Sequence, residues 1–224
     1  MALHSSGREG TRAMLYGAGL AGAAIAFVVL AVLATTAAYF PFDLTITRAL
    51  QAFHPVWFNA MMVALTWMGF SPQAYVIAAL VFLLLVVCRQ RWEALVGVIS
   101  VIGCTYVGMG IKELVARPRP SPELVNVVYP LSDFSFPSGH VLFFTVFYGF
   151  LIVVLLSRFK SVWWRTVLLV VMSLLVGLIG VSRVYLGQHW ASDAVGGYIL
   201  GGIWLALTIV VYRRGRARLM PGPR

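Results

Sequence analysis

Three short polar clusters in an otherwise apolar chain hold the residues whose types and spacing fit catalysis. They are Lys112 with Arg119-Pro120, then Pro137-Ser138-Gly139-His140, and finally Ser182-Arg183 with His189 and Asp193. Lysine and arginine bind phosphate oxygens, histidine attacks phosphorus or transfers protons, and a nearby carboxylate orients a histidine. Together the clusters predict a site that handles phosphate.

The third cluster has the composition of an activated nucleophile. His189 and Asp193 are four residues apart, so they share one face if this stretch is helical. A carboxylate beside one imidazole nitrogen fixes the tautomer and leaves the other nitrogen to attack. Arg183 offers a forked donor that matches two phosphate oxygens. Taken alone, the cluster equally fits a His–Asp pair at a helix end with an arginine reaching the lipid headgroups.

The second cluster has the composition of a helix start that binds an anion. Pro137 and Ser138 favour the first turn of a helix, and Gly139 allows a ligand to approach the backbone. Amides at a helix N-terminus attract negative charge, and His140 would stand beside that anion to exchange a proton. An ordinary helix start that carries a histidine is the alternative.

The first cluster contains closely spaced cations. Lys112 alone is typical of an anchor at a membrane surface. Two successive Arg-Pro pairs, at Arg117 and Arg119, are less easily explained, because adjacent guanidinium groups repel unless an anion lies between them. Glu113 and Glu123 are the alternative partners for these arginines.

The composition indicates a membrane protein. The 224 residues are 61% hydrophobic and 11% charged, and the mean hydropathy is +0.91. Hydrophobic runs of about 18 residues cross a bilayer. Six such runs occupy residues 15–39, 71–88, 94–111, 141–157, 166–182 and 194–212. Residues 56–70 are shorter and contain Asn59, which favours a helix that lies at the membrane interface or dips into it. We therefore expect an all-α bundle of six transmembrane helices, with an interfacial helix, in a single domain over residues 1–224.

The distribution of lysine and arginine predicts the orientation. With a cytoplasmic N-terminus, twelve cations lie inside: Arg8, Arg12, Arg89, Arg91, Arg158, Lys160, Arg165, Arg213, Arg214, Arg216, Arg218 and Arg224. Five lie outside: Arg48, Lys112, Arg117, Arg119 and Arg183. Both termini are then cytoplasmic, and all three clusters face outward. The net charge of +10 fits topology signals and anionic lipid headgroups, not nucleic acid.

The two long outer connections are expected to differ. Residues 40–70 carry Phe42, Phe53, Trp57 and Phe58, which suit the headgroup region. Residues 112–139 contain five prolines, so we predict a stiff, extended loop that grips the substrate.

At the level of motifs, the chain resembles the type 2 phosphatidic acid phosphatase family of membrane lipid phosphatases, whose soluble relatives are vanadium haloperoxidases. The family pattern has three parts, and all three occur in order between residues 112 and 193. Lysine, six residues and Arg-Pro match Lys112 to Pro120. Pro-Ser-Gly-His matches residues 137–140, and Ser-Arg, five residues, His, three residues and Asp matches residues 182–193.

The resemblance implies the roles of the matching residues. His189 would form a phosphohistidine, Asp193 would orient it, and His140 would protonate the leaving group and later activate water. The phosphate oxygens would be held by Lys112, Arg119, Ser138, Gly139 and Arg183. The family needs no metal or other cofactor. Arg117 lies outside the pattern, and we expect it to be an auxiliary phosphate contact.

The expected function is hydrolysis of lipid phosphates or diphosphates at the outer face of the cell membrane. Undecaprenyl diphosphate is favoured, because its recycling needs an outward-facing phosphatase; phosphatidic acid, lysophosphatidic acid and phosphatidylglycerol phosphate are alternatives. A transporter or flippase that binds phosphate without hydrolysis is a competing hypothesis. A vanadate-binding oxidant and a zinc site on His140 and His189 are two more. The pattern carries no information on the oligomeric state.

Overall fold

The computed structural model describes residues 3–160 and 162–219, which form eight α-helices and no β-strand. The helices are α1 Leu3–Thr36, α2 Pro41–Ala52, α3 Val56–Trp67, α4 Gln73–Val87, α5 Arg91–Val115, α6 Gly139–Arg158, α7 Trp163–Tyr185 and α8 Ala191–Leu219. The all-α prediction is therefore confirmed for these residues. Of the cations used to predict the orientation, Arg224 and the side chains of Arg8 and Arg12 lie outside the described part.

Helix α6 is the centre of the bundle. It is apolar on every face, which is typical of a helix surrounded by protein, and it packs against α5, α7 and α8. In its most apolar stretch 61% of the residues are buried, against 11% in α1, which lies at the periphery. Phe143 and Phe147 stack at 5.3 Å between ring centroids, and Phe82 of α4 meets Phe147 edge to face. These aromatic contacts join α4 to the central helix.

Within the described residues, five helices are long and apolar enough to cross a membrane: α1, from Met14, and α5, α6, α7 and α8. The remaining predicted span, 71–88, corresponds to α4, which has 15 residues. A helix of that length measures about 22 Å, less than the roughly 30 Å hydrocarbon core of a bilayer. The structure thus supports a multi-pass membrane protein, while the count of six spans stays a prediction.

The connection at 40–70 contains two helices, and the sequence analysis predicted only one. Helix α2 was missed because Asp43, Thr45, Thr47 and Arg48 interrupt its 12 residues, so the segment gives no apolar run. Helix α3 packs beside α7, where Met62 is fully buried and its carbonyl oxygen accepts a hydrogen bond from Ser182 Oγ at 2.7 Å. The N-terminal residues Val56 and Trp57 remain exposed. Helix α3 therefore belongs to the bundle along most of its length.

The four helices that carry the polar clusters bring them to one end of the bundle. Helices α5 and α7 end there and α6 and α8 begin there, because successive helices run in opposite directions. The proline-rich segment after α5 contains no helix up to Ser138, as predicted. Ser135 ties this loop together: its amide donates to Arg117 O at 2.8 Å and its hydroxyl to Pro118 O at 3.0 Å.

Candidate active site

A cavity of about 190 Å³ lies at the end of the bundle where the polar clusters meet. Its walls are formed by Phe70, Lys112, Arg119, Leu131, Asp133, Gly139, His140, Arg183 and His189. Six of these are residues that the sequence motifs singled out. The other two predicted site residues, Ser138 and Asp193, lie directly behind the wall, where the Ser138 amide donates to Asp193 O at 3.1 Å. The clusters that are separate in sequence thus form one site.

His189 presents one ring nitrogen to the cations and the other to a carboxylate. Its Nε2 atom lies 3.1 Å from Arg119 Nη1, and its Nδ1 atom lies 3.5 Å from Asp193 Oδ2. The second distance is at the outer limit of a hydrogen bond, and Nδ1 has no closer partner among the described residues. Burial, together with the positive charges of Arg119 and Arg183, holds the pKa of His189 well below its usual value. The imidazole is therefore neutral at physiological pH, as a nucleophile requires.

The His189–Asp193 pair is not held by helical spacing. His189 lies in the turn 186–190, ahead of α8, and only Asp193 is inside the helix. Asp193 Oδ2 accepts the backbone N–H of Trp190 at 2.9 Å, which caps the start of α8. The carboxylate is thereby fixed to the same turn that holds the histidine.

Gly187 gives this turn its shape. Its φ angle of +66° lies in the left-handed region, which side chains with a Cβ rarely adopt. A Cβ at this position would also overlap the carbonyl oxygen of Asn126 in the proline-rich loop. Glycine is therefore required both by the backbone and by the neighbouring loop, two residues before His189.

His140 lies at the first turn of α6 and contacts the end of α3. Its Nε2 atom is 3.2 Å from Thr66 O, and its ring meets Phe70 edge to face at 4.9 Å. A Cβ on Gly69 would overlap the His140 ring, so this glycine permits the close approach of the α3–α4 turn. If Nε2 donates to Thr66 O, Nδ1 is the atom that is free to exchange a proton.

Arg183 is fully buried at the floor of the site. Its Nη1 atom donates to Thr66 Oγ1 at 2.7 Å and lies 3.5 Å from His140 Nε2, and its guanidinium carbon is 5.3 Å from the centre of the Phe70 ring. Its Nε atom has no hydrogen-bond partner among the described residues. A buried donor without a partner is costly, which suits a group that meets an anionic ligand.

Lys112 and Arg119 converge on one carboxylate that the motifs do not include. Asp133 Oδ2 is 2.9 Å from Lys112 Nζ, and its Oδ1 atom is 2.7 Å from Arg119 Nη2. Partial burial raises the pKa of Asp133, but the hydrogen bond and charge of Lys112 and the charge of Arg119 outweigh it and lower the pKa overall. Asp133 is therefore ionised and neutralises part of the positive charge in the cavity.

The Ser138-Gly139 step begins α6 as predicted, with one difference. Ser138 occupies the position before the helix, but its hydroxyl makes no capping bond; the buried Oγ atom has no hydrogen-bond partner among the described residues. A Cβ on Gly139 would meet only open space. Both features agree with a helix N-terminus that faces a ligand.

Arg117 contradicts the expectation of an auxiliary phosphate contact. Its side chain is completely buried and forms ion pairs with Asp43 at 2.9 Å and with Asp193 at 2.6 Å. The suggested alternative partners, Glu113 and Glu123, form no ion pair with either arginine in the described structure. The two arginines of the tandem Arg-Pro pairs therefore lie in different places: Arg117 points into the bundle, and Arg119 reaches the cavity.

Four residues of the site were missed by the sequence analysis: Asp43, Thr66, Phe70 and Asp133. Two of them had a usable signal, since Asp43 is the single carboxylate between Glu9 and Glu93, and Asp133 lies between two of the motifs. Thr66 and Phe70 had none, because a threonine or phenylalanine in an apolar segment is unremarkable.

Known proteins that are similar to this chain are membrane or lipid phosphatases. Phosphatidylglycerophosphatase B of Bacillus subtilis is 30% identical over 185 residues, covering 78% of this chain and 85% of that protein. Undecaprenyl-diphosphatase of Sulfolobus acidocaldarius is 33% identical over 156 residues, covering 68% and 69%. The crystal structure of a transmembrane phosphatidylglycerolphosphate phosphatase from Bacillus subtilis has the same fold, with a TM-score of 0.77, 24% identity and coverage of 87% of this chain and 96% of that one.

The fold and the site thus define a multi-pass membrane enzyme of the phosphatase class. A sequence model of the PAP2 superfamily matches residues 92–217, more than half of the chain. The protein belongs to the PAP2 superfamily, and the resemblance inferred from the three motifs is confirmed.

Proposed function

We propose that this protein hydrolyses the terminal phosphate of lipid phosphates or diphosphates at the outer face of the cell membrane, without a metal ion, through a phosphohistidine on His189. One observation carries the proposal. A single cavity is lined by three cations and two histidines, and the carboxylate of Asp193 lies behind one of the histidines. The named relatives, a phosphatidylglycerophosphatase and an undecaprenyl-diphosphatase, act on lipids of this class.

In the first step His189 Nε2 attacks phosphorus. This nitrogen is assigned as the nucleophile because it faces Arg119, while Nδ1 faces Asp193. A bond forms between Nε2 and phosphorus, and the bond from phosphorus to the leaving oxygen breaks. His140 gives its proton to that oxygen, which departs as the lipid alcohol or the lipid monophosphate. Arg119, Arg183 and Lys112 stabilise the charge on the three equatorial oxygens.

In the second step His140 accepts a proton from water, and the resulting hydroxide attacks the phosphohistidine. The nitrogen–phosphorus bond breaks, inorganic phosphate leaves and His189 returns to its neutral form. Asp193 faces the Nδ1–H group throughout, without taking its proton, and favours the positive charge that His189 gains when it is phosphorylated. Both steps use groups that line or adjoin the one cavity.

The lipid tail would reach the bilayer through a second, adjoining cavity of about 200 Å³. This cavity shares Lys112, Gly139 and His140 with the first, and its other walls come from the α3–α4 turn, α4, α5 and α6. Tyr75 and Met109 at its rim are exposed, so the cavity opens on the apolar side of the bundle. A polar headgroup pocket beside an apolar opening suits a substrate that remains in the membrane.

The proposed topology has six spans, both termini in the cytoplasm and the active site outside. Helix α4 would complete the sixth span together with the residues that flank it, since α4 alone is short. The excess of lysine and arginine at the end opposite the cavity supports this orientation.

The proposal is tested by phosphate release in detergent with EDTA present. The panel is undecaprenyl diphosphate, phosphatidylglycerol phosphate, phosphatidic acid and lysophosphatidic acid, and specificity constants are compared. Wild-type protein is expected to release phosphate from at least one of them, and His189→Ala to lose at least about 10³-fold of that activity.

Three results would point to the competing hypotheses. Binding of the lipids by wild-type protein without phosphate release favours a transporter. Activity that EDTA removes and zinc restores favours a zinc site on His140 and His189. Activity that survives in His189→Ala excludes the phosphohistidine route.

A further inference from the structure

Two aspartates and an arginine form a line of buried charges behind the active site, in the order Asp43, Arg117, Asp193. Arg117 Nη1 lies 2.6 Å from Asp193 Oδ1, and Arg117 Nη2 lies 2.9 Å from Asp43 Oδ2. All three side chains have 0% of their surface exposed. The guanidinium also lies over the Phe40 ring, 4.8 Å from its centre. Charges buried to this degree are tolerated only when their partners are fixed, so the geometry of this line is tightly specified.

Ser192 links Asp43 directly to α8, the helix that carries Asp193. Its backbone N–H donates to Asp43 Oδ1 at 2.8 Å, and its hydroxyl donates to Asp43 Oδ2 at 2.7 Å. Arg117 Nη1 donates to the same hydroxyl at 2.7 Å. Asp43 therefore holds α8 at the residue next to Asp193 and holds the arginine that binds Asp193.

Both aspartates are fixed by the same helix-capping device. Asp43 Oδ2 accepts the N–H of Phe40 at 3.0 Å at the start of α2, and Asp193 Oδ2 accepts the N–H of Trp190 at 2.9 Å at the start of α8. The two oxygens of Asp193 are thus held separately, Oδ1 by Arg117 and Oδ2 by Trp190. This leaves the carboxylate one orientation toward His189 Nδ1, at 3.5 Å.

We propose that Asp43, acting through Arg117, is a positioning residue that sets the orientation and charge of Asp193 and thereby the basicity of His189. The proposal rests on the proposed function, in which His189 is the nucleophile. Two carboxylates and one guanidinium give the line a net charge of −1. Changing that net charge changes the electrostatic potential at His189.

Each element that packs against His189 contributes a charged or titratable group. These groups are the same in all variants. They are Lys112 from α5, Arg119 and Asp133 from the proline-rich loop, His140 from α6 and Arg183 from α7. The variants therefore differ only in the charges behind Asp193.

The charge arithmetic predicts opposite effects for two single substitutions. Asp43→Asn makes the line neutral, so the His189 titration moves to lower pH by about 0.5–1. Arg117→Gln leaves Asp193 without its cation, so the electrostatic potential at His189 becomes more negative and the titration moves to higher pH by a similar amount. The double variant restores the net charge of −1, but this charge lies on Asp193, beside His189, so its titration is expected between those of the wild type and Arg117→Gln. General damage to the fold would shift the His189 titration in the same direction in both variants.

The titration is measured by NMR on full-length protein in detergent, labelled at its four histidines. His189→Gln identifies the His189 signal. In parallel, kcat and KM are measured with dioctanoyl phosphatidic acid. Asp43→Asn is expected to lower kcat about 10–100-fold, with KM within about threefold of wild type.

Matched controls carry the same changes in charge at exposed positions. Arg48→Gln removes a cation from α2, and Glu113→Gln removes a carboxylate from α5. Both are expected to leave the titration, kcat and KM unchanged. If a single variant fails to fold, Arg117→Lys replaces it, because lysine keeps the charge but lacks the fork that binds both aspartates. It is expected to lower kcat about 10–100-fold and leave the titration in place, and a wild-type kcat in Arg117→Lys would overturn the proposal.

The proposal is overturned if Asp43→Asn and Arg117→Gln both have the wild-type His189 titration, or if both shift it in the same direction. These outcomes are independent of turnover, because NMR reports the imidazole whether or not phosphate is released. Failure of the proposed function would instead appear as wild-type protein that shows the expected titrations and releases no phosphate from any lipid.

Discussion

In the proposed mechanism, the pH range in which His189 attacks phosphorus is set by its surroundings. Burial, followed by the charges of Arg119 and Arg183, keeps the pKa of the imidazole well below its usual value of about 6.5. The free enzyme loses its nucleophile only when the pH falls through this lowered pKa. The acid limb of kcat/KM is therefore expected below pH 6.5.

Removal of one of the nearby charges should move this limb. Arg119→Gln eliminates the cation that lies 3.1 Å from Nε2, so the His189 pKa rises and the acid limb shifts upward by about 0.5–1 in pH. Arg119→Lys keeps the charge and is the matched control; it should lower affinity but leave the limb where it is. A limb that is identical in both variants would show that Arg119 does not control His189.

Asp133 should compete with the substrate phosphate for Lys112 and Arg119. Its carboxylate forms ion pairs with both cations, 2.9 Å from Lys112 Nζ and 2.7 Å from Arg119 Nη2. Asp133→Asn removes this competition, so KM and the vanadate concentration for half-inhibition are both expected to fall about 2–10-fold. Glu123→Gln, an exposed change in the same loop, should alter neither. A higher KM in Asp133→Asn would mean that the carboxylate organises the cations instead of competing for them.

Among the structural elements, the turn between α7 and α8 has the most direct control of His189, the proposed nucleophile. Gly187→Ala places a Cβ in the left-handed region and against Asn126 O. We expect a loss of about 1–2 kcal/mol in the free energy of unfolding from the backbone alone, and a fall in kcat of about 10–100-fold because His189 is displaced.

Gly202→Ala in α8 is the control for this substitution. Gly202 is helical, and an added Cβ would meet nothing within 4 Å. It should keep both the wild-type melting temperature and the wild-type kcat. If Gly187→Ala behaves in the same way, the turn does not depend on glycine.

The elements also show how far the sequence could predict this site. Apolar runs located all five long helices, and the motifs identified six residues of the cavity wall, because hydrophobic length and phosphate chemistry are local properties. Helix α2 and Asp43 were missed because their role depends on a contact with Arg117, 74 residues away. The same long-range contact makes Arg117 structural, although its place beside Arg119 suggested a phosphate contact.

For the molecule as a whole, the proposed orientation puts the cavity and Cys88 on opposite sides of the membrane. Cys88 is free and exposed at the end of α4, and Glu123 is exposed in the proline-rich loop. In sealed right-side-out vesicles, an impermeant maleimide should label Glu123→Cys in a Cys88→Ser background. It should label Cys88 of the wild type only after the vesicles are opened. The reverse pattern would invert the topology.

The central claim is that His189 carries the phosphoryl group during turnover. Enzyme mixed with a lipid phosphate labelled with ³²P and quenched in alkali should contain a label on His189 that is stable to base and released by acid. When unlabelled substrate is then added, His140→Asn should lose this label more slowly than the wild type, because hydrolysis of the intermediate is slowed, and His189→Asn should contain none. Label that persists in His189→Asn, or that is absent from both wild type and His140→Asn while phosphate is released, would contradict the account.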